Sequence, residues 1–373
     1  MKKKKIVHVA QSAGGVAQYL YMLLSNMDKS EYENVLICSH DYKPQIQRFK
    51  NITEKIYFID MVREINIKKD FKAIMELRKI IKKEAPDTIY MHSSKAGAIG
   101  RISLLFYRKI NKLYNAHGWY FNAEIGKKKK SIFTIIEKIL AWNTDIIVNI
   151  SNNEYESALK NKIAKKQKMC IIENGIDFRE INTIEKSREI IRKKYKILDS
   201  EVVIGVVGRI TEQKDPLTFI KAAREISDKL TNVKFMFVGS GELEEKVKTY
   251  ATENNFIENV IITGWVNNAK EYIAAFDIAV LPSKWEGFGL AIIEYMACKK
   301  PIIATRVGGI QDIIKNEDYG ILVDSGDEHQ LSNAILQYLN KENKIKNMIE
   351  NNYAYSINKY NIKNTVEKHK KFF

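Results

Sequence analysis

The sequence predicts an α/β protein built from two doubly wound parallel-sheet domains. Short apolar runs alternate with helical periodicities along the whole chain, the pattern of parallel strands joined by crossover helices. The 373 residues also divide into unlike halves: residues 1–200 hold 39 Lys and Arg against 22 Asp and Glu, and residues 201–373 hold 22 against 23. A strongly basic half beside a neutral one points to two domains with different partners. A Lys-rich background composition explains part of the basic excess but not its placement.

The first strand is expected at Ile6–Ala10. The lysines before it resemble a secretory n-region, but the apolar run is short and is broken by His8 and Gln11. No apolar run approaches the ~20 residues that span a bilayer. Cys38, Cys170 and Cys298 are odd in number, far apart and without metal-ligand spacing, so a reducing cytoplasm is expected rather than a disulfide framework. After the strand, Gly14-Gly15 precedes a helix whose apolar face is Val16, Leu20, Leu23, Leu24 and Met27. A glycine pair at a helix N-terminus lets backbone approach a ligand, and equally makes a tight βα turn.

Further strands are expected at Val35–Ser39, Lys55–Ile59, Thr88–Met91, Leu113–Asn115, Ile146–Ile150 and Met169–Ile172, with a helix at Phe71–Glu84 closed by Pro86. In parallel sheets ligands bind beyond the strand C-termini. His92-Ser93-Ser94-Lys95-Ala96-Gly97 and Ala116-His117-Gly118-Trp119 fall at two such ends, the same edge as Gly14-Gly15. Helices read over Ile99–Lys112 and Lys127–Trp142 combine apolar and aromatic residues with clustered Lys and Arg. Each fits a helix lying on an anionic membrane surface, or a core helix with a solvated basic flank. No nucleic-acid reader module is present.

Residues 178–200 are charged and helical in pattern and read as an interdomain connection. The second half then repeats the rhythm. Val202–Val207 ends in Gly208-Arg209, with Lys214 five residues on, just before Pro216 opens a helix. Two fixed cations at a strand end suit a diphosphate. Phe235–Val238 ends in Gly239-Ser240-Gly241, and Val260–Thr263 in Gly264-Trp265-Val266. Ile278–Leu281 is followed by Pro282-Ser283 and then Trp285-Glu286-Gly287-Phe288-Gly289-Leu290, continuing to Glu294. Pro301–Thr305 leads to Arg306-Val307-Gly308-Gly309. Strand, glycine loop and helix N-terminus present bare N–H groups to an anion. The two carboxylates are left to grip hydroxyls beside it, so a phosphate next to hydroxyls, a nucleotide sugar, is the expected ligand. Glu286 and Glu294 can serve one ligand only if Glu286 is still in the loop, since positions eight apart on a helix diverge by roughly 80°.

In this ordered set the chain resembles the GT-B-fold retaining glycosyltransferases of family 4. The most specific part is Glu286 and Glu294 with Gly287-Phe288-Gly289 between them. Around it stand Gly208-Arg209 with Lys214, Val238-Gly239-Ser240-Gly241, Asp277, Leu281-Pro282-Ser283, Ala297, Pro301 and Gly308-Gly309, while Asn174-Gly175-Ile176-Asp177 matches the family's crossing point between domains. His92 to Gly97 and Ala116 to Trp119 are similar to the subgroup that builds bacterial capsule, exopolysaccharide or O-antigen units. One departure is Gln311-Asp312, where the family usually carries Pro-Glu.

The resemblance implies two Rossmann-like domains facing a cleft. Residues 1–178 would form the acceptor domain, 179–200 the linker and 201–351 the donor domain, with 352–373 packing back on the first. It implies transfer of a sugar from a nucleotide diphospho-sugar, UDP-linked by expectation, to a lipid-linked saccharide on a prenyl diphosphate. The protein would be cytoplasmic, held peripherally at the inner face of the membrane through its basic domain. Arg209 and Lys214 would neutralise the diphosphate. The backbone from Gly287 and Phe288 through Gly289, Leu290 and Ala291 would bind phosphate and sugar hydroxyls. Glu286 would hold the sugar and Glu294 the ribose, Gly239 would line the diphosphate, and Trp265 and Val266 would contact the base. Gly15 would approach the diphosphate, Gly14, His92, Ser93 and Lys95 would serve the acceptor, and His117 would line the reacting centre. The absence of any Asp-x-Asp predicts no metal, and no other cofactor is expected. A sugar-nucleotide epimerase, a phosphorylase, or a non-catalytic nucleotide-sugar-binding partner of another transferase are the alternative readings.

Overall fold

The computed structural model describes residues 2–11, 13–181, 184, 186–339 and 342–373. Ser12 of the glycine loop and residues 182, 183 and 185 of the expected linker lie outside the described residues. The chain divides into two compact units, Met1–Ile176 with Ile362–Phe373, and Asp177–Asn361.

The first unit runs β1 (Lys4–Ala10), α1 (Gly15–Ser25), β2 (Tyr32–Cys38), β3 (Lys55–Phe58), α2 (Ile67–Glu84), β4 (Thr88–His92), α3 (Ser94–Ser103), β5 (Asn111–Asn115), α4 (Lys127–Ala141), β6 (Ile146–Asn149), α5 (Asn152–Lys160) and β7 (Met169–Ile171). Its strands pair in parallel in the order β3-β2-β1-β4-β5-β6-β7, so the winding reverses between β1 and β4. α2 shows why these helices sit where they do. Asn66 caps it by accepting the Lys69 N–H at 3.0 Å, Ala73, Leu77 and Ile81 face the sheet, and Ala85 in the left-handed region ends it before Pro86.

The two faces of this sheet differ. Val7, Val9, Ile89 and Met91 pack against α2 and α3 in an apolar core. On the opposite face His8, Tyr90 and His92, at alternate strand positions, are fully buried. They are covered by α1 and by the last helix of the chain, whose His369 meets Tyr19 of α1 at 3.2 Å and Tyr90 at 2.9 Å.

The helix expected over Ile99–Lys112 is corrected. α3 begins at Ser94 and stops at Ser103, and Asn111 and Lys112 open β5. The β5 edge needs these two residues: the Lys112 N–H donates to the Asp145 carboxylate at 2.9 Å, and Asn111 pairs with Thr88.

The second unit contains α6 (Ser187–Lys194), β8 (Val202–Val207), α7 (Pro216–Ser227), β9 (Val233–Val238), α8 (Glu244–Glu253), β10 (Val260–Ile262), α9 (Ala269–Ile273), β11 (Ile278–Leu281), α10 (Leu290–Ala297), β12 (Ile302–Thr305), α11 (Ile310–Ile313), β13 (Ile321–Val323), α12 (Glu328–Leu339) and α13 (Glu342–Lys359). The parallel order β10-β9-β8-β11-β12-β13 reverses between β8 and β11. The stretch expected as a linker belongs to this unit. Arg188 and Arg192 of α6 grip the Asp277 carboxylate at 2.7 and 3.3 Å, and that carboxylate also accepts the Val203 N–H at 2.8 Å. Asn352 likewise stays in this unit, donating to the Tyr319 carbonyl at 3.0 Å. The chain returns to the first unit only with α14 (Ile362–Lys370).

Candidate active site

In a doubly wound sheet the crevice for a ligand opens where the winding reverses, at the strand C-termini. In the second unit that point lies between the loops after β8 and β11. Glu286 is in the loop, as the two-carboxylate argument requires. Gly289, at φ 92°, turns the chain into α10, whose N-terminus carries no side-chain cap. The loop is pinned from behind. Gly308, at φ 46°, lies so close that an added Cβ would stand 1.8 Å from the Glu286 carbonyl oxygen, and the Gly309 N–H donates to that same oxygen at 3.1 Å. The Thr305 hydroxyl donates to the Ser283 carbonyl at 2.5 Å.

Lys214 comes from the short helical turn Glu212–Lys214 after β8, and its ammonium pairs with the Glu286 carboxylate. The Ser283 hydroxyl donates to the same carboxylate at 2.9 Å. Gln213 ties the two loops further, its side-chain amide donating to the Trp285 carbonyl at 3.1 Å. Arg209 is exposed at the end of β8. Gly239, at φ 144°, sits where a Cβ would meet the Gly208 carbonyl oxygen at 2.1 Å, which brings the β8 and β9 ends together. Gly264 faces open space, Trp265 is two-thirds exposed at 66 %, and Val266 is half-buried. Phe288 is buried against Tyr360, Leu290 is half-buried, and Ala291 and Glu294 are buried in α10.

In the first unit the reversal lies between β1 and β4. Gly14 and Gly15 are exposed, with nothing near where a Cβ would stand. Ser93, at φ 81° and ψ 157°, holds a backbone conformation costly for a non-glycine residue, and its buried hydroxyl has no partner among the described residues. Lys95 is engaged, its ammonium lying 2.6 Å from the Asp70 carboxylate and 2.8 Å from the Glu64 carbonyl. His92 is fully buried and reaches the edge through His117, whose Nε2 lies 3.1 Å from His92 Nδ1. His117 itself is half-buried at φ 54°, held by its N–H donating to Asn115 at 2.8 Å and by the Tyr19 ring 4.7 Å away. Burial pushes the His117 imidazole down to about 3 and His8 to about 4. Behind this loop Glu154 accepts the Trp119 N–H at 2.5 Å and the Asn122 amide at 2.8 Å, and burial pushes its carboxyl up to about 7.

Several contributors carried no readable sequence signal. Ser283, Gln213 and Thr305 are common loop residues whose role comes from the fold. His8 reads only as a polar break in an apolar strand, although its alternation with Tyr90 and His92 on a neighbouring strand is the pattern of a shared buried face. Among the described residues no group of three or more His, Cys, Asp or Glu is placed to hold a metal.

Two family models match the chain in succession. The glycosyltransferase family 4 model covers residues 13–180, and the glycosyl transferases group 1 model covers 187–355. The chain belongs to this family of glycosyltransferases. It is 28 % identical, over all of its length and 97 % of the relative's, to the Escherichia coli UDP-Gal:α-D-GlcNAc-diphosphoundecaprenol α-1,3-galactosyltransferase. It is also 28 % identical to the Staphylococcus aureus capsular polysaccharide biosynthesis glycosyltransferase CapM, over 92 % of this chain and 89 % of that one. Among solved structures it is similar to Anabaena HepE in complex with UDP and glucose, with a TM-score of 0.85 at 18 % identity over 99 % and 98 % of the two chains. That likeness places both parallel-sheet domains in the GT-B fold.

Proposed function

We propose that the protein transfers a sugar, with retention of configuration and without a metal, from a nucleotide diphospho-sugar to a saccharide carried on a prenyl diphosphate, in the assembly of a bacterial surface polysaccharide. UDP is the favoured carrier. The observation that carries this reading is the Lys214–Glu286 pair set across the sheet's switch point beside the uncapped N-terminus of α10. Fixed cations and aligned N–H groups stabilise charge that develops on a leaving diphosphate, as a metal would elsewhere.

Arg209 and Lys214 take the diphosphate, with Gly15 and Gly239 approaching it. The backbone N–H groups from Gly287 to Ala291 bind phosphate and sugar, Glu286 a sugar hydroxyl and Glu294 the ribose. Trp265 and Val266 meet the base. Gly14 and Ser93 serve the acceptor and His117 the reacting hydroxyl, while His92 and Lys95 act from behind through His117 and Asp70. The open space around Gly14 and Gly15 supports their assignment, because nothing in the protein itself demands glycine there.

The first domain would rest on an anionic bilayer through α4. Ile132, Ile135, Ile139 and Trp142 form an exposed stripe, with Trp142 at 87 %, beside Lys127 to Lys130. Among the described residues no helix is long and apolar enough to cross a membrane.

The test is purified protein incubated with a panel of nucleotide sugars and a prenyl-diphosphate-linked saccharide, with and without chelator. Transfer that keeps the anomeric configuration and survives the chelator is expected. Donor hydrolysis without transfer, an inverted product, or loss of activity on chelation would each refute part of the assignment.

A further inference from the structure

The buried face of the first sheet holds three imidazoles in series. His8 Nε2 lies 3.2 Å from Asn34 Oδ1, His8 Nδ1 lies 3.3 Å from His92 Nε2, and His92 Nδ1 lies 3.1 Å from His117 Nε2. His8 and His92 are fully buried. A neutral imidazole has one N–H and one lone pair, so each ring passes a constraint to the next. Asn34 Oδ1 can only accept, so His8 carries its proton on Nε2 and accepts at Nδ1. His92 must then donate from Nε2 and accept at Nδ1, and His117 must donate from Nε2.

We infer that His8 and His92, capped by Asn34, are positioning residues that hold His117 in the tautomer protonated on Nε2, leaving the Nδ1 lone pair to accept a hydrogen bond from a substrate hydroxyl. The inference rests on the reading that places His117 at the reacting hydroxyl. Among the described residues no group hydrogen-bonds His117 Nδ1. The strained backbone at His117 and its N–H bond to Asn115 keep the ring facing His92.

The column also resists an added proton, because a second proton on any inner ring would set two N–H groups against each other. The groups facing it from the packed elements are Tyr19 of α1, Tyr90 of β4, Cys170 of β7 and His369 of α14. His369 gives its own Nδ1 proton to the Thr365 carbonyl at 2.7 Å and accepts at Nε2 from Tyr90. Among the described residues no carboxylate reaches the column to stabilise a cation. His117 therefore orients the hydroxyl as a neutral acceptor before transfer. As the new glycosidic bond forms and the donor's sugar–phosphate C–O bond breaks, the hydroxyl gives up that hydrogen bond and its one proton passes to the leaving diphosphate.

The decisive experiment is a two-bond 1H–15N correlation spectrum of the imidazoles in the full chain, with His117 assigned by its loss in His117→Gln. The expected result at pH 7 is the Nε2-protonated tautomer, with no titration between pH 5 and 8. The Nδ1-protonated tautomer, an exchanging mixture, or a midpoint near 6.5 would overturn the inference. Two variants add a kinetic readout that does not depend on folding alone. Asn34→Leu removes the fixed acceptor and should lower kcat about tenfold or more with little change in KM, whereas Asn34→Gln, whose amide oxygen can still accept from His8 without adding a charge, should keep most of it. Equal activity in both would also overturn it. Undiminished turnover in His117→Ala would instead remove His117 from the reacting centre while leaving the tautomer as observed, so the two readings fail separately.

Discussion

The ammonium of Lys214 and the carboxylate of Glu286 close on one another across the gap between β8 and β11. The two side chains come from positions 72 residues apart, yet each is largely withdrawn from solvent at 20 % and 9 % exposure. A carboxylate so placed needs its partner, because an uncompensated charge at a half-buried site is costly. Removing the charges of Lys214 and Arg209 together should lower kcat/KM by about 10²-fold or more while circular dichroism stays native. Wild-type turnover in that double variant would end the diphosphate assignment.

Glu294 lies in α10, one turn beyond the glycine loop and buried. Glu294→Ala should raise donor KM by roughly ten- to a hundredfold, the loss of a hydrogen bond to a charged group, with kcat changed much less. Steady-state kinetics with varied donor checks this, and an unchanged donor KM would count against the ribose role.

Gly308 is where the active loop meets its support. Gly308→Ala places a methyl group against the Glu286 carbonyl in a left-handed backbone position, so it should cost more than ~1 kcal/mol and displace the loop. Gly126→Ala, in open space, should stay within about 0.5 kcal/mol. Denaturant midpoints and turnover of the two variants make the comparison.

The histidine face makes the first domain acid-sensitive. His8 and His369 are pushed down to about 4, His117 to about 3, and His92 well below its usual value, all chiefly by burial. Unfolded, all four charge near pH 6.5, so their stabilisation is complete above that value and is lost as pH falls toward 4. Glu154, pushed up to about 7, works in the opposite direction and offsets close to one proton. Unfolding of this domain near pH 5 should therefore take up about three protons. The slope of denaturant stability against pH between 5 and 6 measures the number, and a flat profile would contradict buried neutral imidazoles.

The exposed stripe of α4 can be tested by flotation. Ile135→Glu with Trp142→Glu should abolish flotation with anionic liposomes at low salt and leave transfer to a soluble acceptor analogue intact. Binding of the unaltered protein should weaken as salt rises, since roughly 1 kcal/mol per lysine near the surface is screened.

In the second half the strands and their shared C-terminal edge were readable because the apolar runs are followed closely by a glycine or a cation, a local signal. The Glu286 loop was readable for the same reason, with Gly287 and Gly289 marking where the helix could not yet begin. Periodicity failed where burial depends on neighbours. Ile132, Ile135 and Ile139 are spaced as a core stripe would be, but the core side of α4 is Glu137, Leu140 and Ala141, with Glu137 buried against Arg101 at 2.8 Å. The end of α3 at Ser103 was missed because the apolar residues beyond it continue the helical pattern into turns. The β13 strand, three residues long, and α12 after it are set by packing against β12 and α7 rather than by any local motif.

The return of α14 has a consequence for how the molecule is made. His369 and Thr365 sit beneath the first sheet, and Thr365 also donates to the Glu173 carbonyl at 3.0 Å. During synthesis the polar face of the amino-terminal sheet therefore has only α1 over it, and lacks its α14 cover, until residues 362–373 have been made. The second domain is continuous in sequence and has no such delay. It can finish folding first, which inverts the usual order of vectorial folding and leaves the nascent first half as the species that chaperones would need to shield.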